Sequence, residues 1–169
     1  MIPAYRVLAE RIRAESASLA RVVDRVEGAL ARAGEHPGDS SYYLSAAALD
    51  LHGFYAGVER IFELVANGVD ESVPKGAAWH RDLLAQMALE VPGLRAAVLK
   101  PETRIALTDY LEFRHVVRNL YSFDLRLDRV AELSQHLRSA NDLLQRDLRG
   151  FVAFLEGLST ADETDASSP

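Results

Sequence analysis

The ten residues Glu112-Phe113-Arg114-His115-Val116-Val117-Arg118-Asn119-Leu120-Tyr121 hold the densest set of reactive side chains in the chain. On a helix, steps of four and seven return to one face, so Arg114, Arg118 and Tyr121 share a narrow sector. His115 and Asn119, four apart, share the adjacent one. The strip offers two guanidiniums, an imidazole, an amide and a phenol. A guanidinium's planar fork matches phosphate oxygens, and imidazole titrates near neutrality. Cleaving a phosphodiester without a metal needs this kit: a phosphate clamp and a group that moves a proton from a ribose 2′-hydroxyl. A solvated helix face is the competing reading, with Arg114 and Arg118 paired to Glu112, Asp109 or Asp124 and His115 satisfied in an interface.

Five amphipathic helices must position these groups. The first is predicted over Ala4 to Ala33, with Leu8, Ile12, Leu19, Val22, Val26 and Leu30 recurring at helical steps. Gly34-Glu35-His36-Pro37-Gly38 ends it, with glycine suited to a left-handed C-cap. Asp39, Ser40 or Ser41 then caps a second helix, through about Val65, on a stripe of Leu44, Ala47, Ala48, Leu51, Tyr55, Val58, Phe62 and Val65. Ala46, Ala47 and Ala48 would admit a close neighbour. A loop from Asn67 to Gly76 leads to a short helix with Trp79, Leu83, Leu84 and Met87, closed by Pro92-Gly93. Pro101 fits the first turn of a fourth helix, which should turn Ile105, Leu111, Val117 and Leu120 inward. The fifth carries Val130, Leu133, Leu137, Ala140, Leu144, Leu148, Phe151, Leu155 and Leu158, a pattern of about four heptads. The fold class is therefore all-α: an up-down bundle of four long helices and one short one. Residues 1–158 form a single domain, and 159–169 a disordered acidic tail.

Composition bounds the function. With 49% hydrophobic and 26% charged residues the chain is globular. It contains no cysteine, which excludes disulfides and thiol chemistry. No apolar run approaches the roughly 20 residues that span a bilayer, and the N-terminus lacks a signal core, so a cytoplasmic, unanchored protein is expected. Net charge is −6, yet residues 95–149 hold 10 basic against 8 acidic side chains. A local phosphate site is thus permitted, though not required.

Other candidates are weaker. Glu59 and Glu63 lie one turn apart but lack the Glu-x-x-His of a metal-binding bundle, and are expected at the surface near Arg60. His36 sits in a loop, and His52 and His136 lack ligand-spaced partners. No metal site, cofactor motif, HExxH or Ser–His–Asp arrangement is present. Tyr42, Tyr43 and Tyr55 suit a core or an interface. His80 could cap its helix, pack against the partner protomer or line a cleft; Trp79 needs burial and fixes its neighbour with it, which favours packing.

The stretch WHRDLLAQM at 79–87, then Pro92-Gly93-Leu94-Arg95, then FRHVVRNLYSFDL at 113–125, resembles the HepT-like branch of the HEPN superfamily. The likeness covers most of 40–155 in layout. It implies a HEPN-like helical bundle that forms a homodimer. It further implies a metal-independent endoribonuclease with an Arg-x4-His-x-Tyr pattern facing a cleft between protomers. HepT-like members act on RNA as toxins, silenced by a nucleotidyltransferase antitoxin that adds AMP to the motif tyrosine. Laid on this chain, the motif arginine is Arg114 and the tyrosine Tyr121. Arg118 and His80 join the substrate-binding set. The position of the catalytic histidine holds Asn119, whose amide moves no proton near pH 7. Three readings stay open: His115 supplies the proton chemistry, the arginines and Tyr121 give weak electrostatic cleavage, or catalysis is lost and the fold is a binding module for a nucleotidyltransferase.

Overall fold

The computed structural model describes the backbone over residues 2–117 and 124–165, and side chains over 4–117 and 124–159. Five α-helices follow in order: α1 (Ile2–Glu35), α2 (Ser40–Gly68), α3 (Trp79–Met87), α4 (Pro101–Val117) and α5 (Leu127–Asp165). No strand occurs among the described residues, where an isolated bridge joins Val91 and Arg95. The fold is an all-α bundle, four long helices and one short, as the periodicity predicts.

Opposed contacts set the helix directions. Leu8 meets Gly68 and Leu19 meets Gly57, so α1 and α2 are antiparallel. Arg13 pairs with Glu156 and Arg138 with Glu27, so α1 and α5 are antiparallel too. Between α4 and α5, Thr103 bonds Asp147 and Tyr110 bonds the Leu133 carbonyl. The core between them joins Ile12, Leu19, Val23, Leu51, Phe54, Phe62, Leu107, Leu137 and Leu144, all essentially sealed from solvent.

Several local expectations are corrected. Gly34 is not left-handed; α1 runs on to Glu35, and a 3-10 turn at Pro37–Asp39 reverses the chain. On α1 the buried valines are Val23 and Val26, with Val22 only partly covered, because the steps from Leu19 that return to the core are four and seven. α1 and α2 approach closely at Gly57, where a Cβ would lie 2.6 Å from Leu19 Cδ2, while Ala47 and Ala48 are buried in the core. The short helix ends at Met87, and Pro92-Gly93 forms a later tight turn: Leu94 N–H donates to the Val91 carbonyl at 3.0 Å, and Gly93 has φ +78°. This is a type II turn, whose third residue needs positive φ. Ile105 is 72% exposed rather than inward. Steps of six from Ile105 to Leu111 to Val117 do not hold one helix face, whereas Thr103, Leu107, Tyr110, Leu111 and Arg114 do. At the C-terminal end, α5 continues to Asp165, seven residues past Leu158. No proline or glycine interrupts it there, and alanine and glutamate favour helix.

Candidate functional site

Arg114 and His115 occupy the last turn of α4. The buried stripe of α4 carries Arg114 toward α2 and α3, while His115 stays exposed at the rim. α3 is a short helix beginning Trp79-His80, and the second of these is buried. From α2 comes Glu59, 4% exposed, with Val58, Ile61 and Phe62 fully buried around it. This corrects the placement of Glu59 at the surface. Its neighbours at i−4, i−1 and i+3 are Tyr55, Val58 and Phe62, all core residues, and that company was the available sequence signal.

Three helices therefore bring one carboxylate, one guanidinium and two imidazoles together. Arg114 Nη1 donates to Glu59 Oε1 at 3.0 Å and lies 2.9 Å from Oε2. His80 Nδ1 lies 2.5 Å from Glu59 Oε1, and Arg114 Nη1 is 2.9 Å from the same ring nitrogen. The Trp79 ring covers that of His80 with centroids 3.6 Å apart, and His115 meets it edge-on at 5.4 Å. Trp79 is half-buried and stacks on the buried His80, which also touches Arg114. Below lies Tyr55, fully buried. Burial pushes its phenol well above the ordinary range and the Glu59 charge adds to this, with Arg114 partly opposing. Arg118, Asn119 and Tyr121 lie outside the described residues.

The pairing proposed for a solvated face does not form around Arg114. Asp109 instead pairs with Arg129, and Arg114 is pinned from α2. The remaining histidines are scattered: His36 stacks on Tyr43 and His136 bonds the Glu132 carbonyl. Tyr42 is 76% exposed and Tyr55 buried, so only the latter serves the core. Among the described residues no group of three or more metal-ligating side chains converges, and no helix is long and apolar enough to cross a membrane.

A family model described as "HepT-like protein" matches residues 46–155. The chain belongs to the HepT-like family of HEPN proteins. No curated protein and no solved structure matches it. In this HepT-like chain the matched span holds every residue of the cluster: Tyr55, Glu59, Trp79, His80, Arg114 and His115. It leaves α1 outside, packed along α2 and α5 through its own apolar stripe.

Proposed function

We propose that the chain is the toxin component of a HEPN/nucleotidyltransferase toxin–antitoxin pair, a metal-independent endoribonuclease working in the cytoplasm as a homodimer. The observation that carries this reading is a family arginine, Arg114, held beside two imidazoles at the rim of three helices. Arg114 binds the scissile phosphate and Arg118 supports its charge. The ribose 2′-oxygen attacks phosphorus, giving up its proton to a base, and the 5′-oxygen leaves with a proton. The exposed His115 is the base, compensating for Asn119, which hydrogen-bonds the ribose or phosphate. His80 helps seat the substrate, and Tyr121 is the site of AMP addition by the antitoxin.

Asn119 favours a second reading, a catalytically inactive HEPN dimer that serves as a binding module for the nucleotidyltransferase. RNA cleavage by the purified protein in EDTA, with Arg114→Ala and His115→Ala alongside, separates the two. Cleavage lost in both variants supports the nuclease. No cleavage by folded, unmodified wild type supports the binding module. Full activity in Arg114→Ala sinks the site assignment.

A further inference from the structure

Among the described residues two arginine–carboxylate pairs lie largely buried, and they are built differently. Arg95 is fully spent. Its Nε and Nη2 grip Asp70 at 2.6 and 2.7 Å, Nη1 donates to the Leu89 and Ala96 carbonyls, and Nη2 also reaches the Gln86 carbonyl. Its side chain is sealed from solvent. Such a pair staples a loop. Arg114 engages Glu59 through Nη1 alone, which sits 3.0 and 2.9 Å from the two carboxylate oxygens. Its Nε is buried with no partner among the described residues, Nη2 makes no bond there, and 16% of the side chain remains exposed. The Nε–Nη2 edge is the one that grips a carboxylate in the Arg95 pair, and here it is unspent.

We propose that Glu59 is a positioning residue, which pins Nη1 of Arg114 so that the Nε–Nη2 edge is presented as a fork for an oxyanion. The proposal rests on the reading of Arg114 as the phosphate holder. A buried carboxylate on an apolar stretch of helix is costly unless paired, so its presence calls for a cause. Glu59 also sets His80. An ionised Glu59 accepts from His80 Nδ1–H, which fixes the ring's tautomer and orientation. The close approach of Arg114 Nη1 to that same nitrogen follows from their shared carboxylate. A fork fixed at its far nitrogen meets phosphate with less freedom to lose, and such orientation acts on rate more than on binding.

The test uses full-length protein with Glu59→Gln and Glu59→Asp, and with Asp70→Asn as a purely structural comparator. Binding is measured on an all-deoxy, uncleavable oligonucleotide, and cleavage on the matching RNA in EDTA. Glu59→Gln removes a negative charge near the phosphate. It should bind the deoxy strand within about two-fold of wild type, or tighter, while kcat falls about 10- to 100-fold. Glu59→Asp should fall between, and Asp70→Asn should leave kcat unchanged. Unchanged kcat in Glu59→Gln overturns the proposal, as does loss of binding in step with rate. Loss of folding in both Glu59 variants while Asp70→Asn folds makes Glu59 merely structural and also overturns it. The Nε–Hε resonance of Arg114 separates this proposal from the reading beneath it. If the deoxy strand does not move that signal in wild type, the phosphate reading fails. If Glu59→Gln does not move it, the positioning role fails whether or not the protein cleaves RNA.

Discussion

The hydroxyl of Tyr55 lies fully buried under Arg114 and Glu59 with no hydrogen-bond partner among the described residues. An unsatisfied buried donor carries a desolvation cost of about 1–3 kcal/mol, which its removal relieves while the ring keeps its packing. Tyr55→Phe should therefore keep or raise stability, by up to about 1 kcal/mol, in urea denaturation. A clear loss would mean that the hydroxyl has a partner. At this scale the sequence was legible where one helix carried the information. Arg114 and His115 stand out by spacing on α4, and Trp79 marks its neighbour His80 for burial. Glu59 was not legible as a site residue, because its partners His80 and Arg114 come from α3 and α4, some 20 and 55 positions away. Its core neighbours Tyr55, Val58 and Phe62 on α2 signal that Glu59 is buried, but nothing on α2 alone says what it pairs with.

Helix boundaries and staples belong to the next scale. The first turn of α4 is capped from outside: the Lys100 N–H and the Thr103 hydroxyl both donate to Asp147 Oδ2, at 2.8 and 2.6 Å. Pro101 signalled that this helix starts here, but its cap lies on α5, where no local motif could reveal it. Asp147→Ala leaves a buried hydroxyl and a helix-end N–H without acceptors, and should cost about 2–3 kcal/mol by chemical denaturation. A cost near zero would remove the cap from the account. The segment joining α2 to α4 is held by Asp70 and Arg95. Burial pushes the Asp70 carboxyl up, but hydrogen bonds from Arg95 and Gln86 outweigh it and hold the group below its usual range. A folded-state value below the unfolded one means that the stabilisation is complete above the ordinary carboxylate range. It is lost as pH falls through the depressed value. Asp70→Asn should thus cost about 3 kcal/mol at pH 7, and the gap to wild type should narrow below about pH 4. Urea melts at pH 7 and pH 3 check this, and a gap independent of pH would refute it.

Charge and assembly are properties of the whole molecule. A net charge of −6 opposes RNA everywhere except where arginines are free to meet it. Among the described residues several surface arginines are occupied by acids: Arg13 by Glu10 and Glu156, Arg138 by Asp24 and Glu27, and Arg129 by Asp109 and Glu132. In the proposed site the phosphate contacts come from Arg114 and Arg118. Each phosphate neutralised on a single strand contributes about −0.7 to the slope of log K against log salt. One protomer acting alone predicts a slope of about −1.4, and a cleft shared by two protomers about −2.8. The deoxy oligonucleotide measures this between 50 and 200 mM salt, and light scattering supplies the mass under the same conditions. The dimer predicts twice the chain's 18.6 kDa together with the steeper slope. A dimer with the shallow slope would put one protomer's arginines outside the binding cleft. A slope steeper than about −5 would need more arginines than this site holds, and would move the RNA surface elsewhere on the bundle.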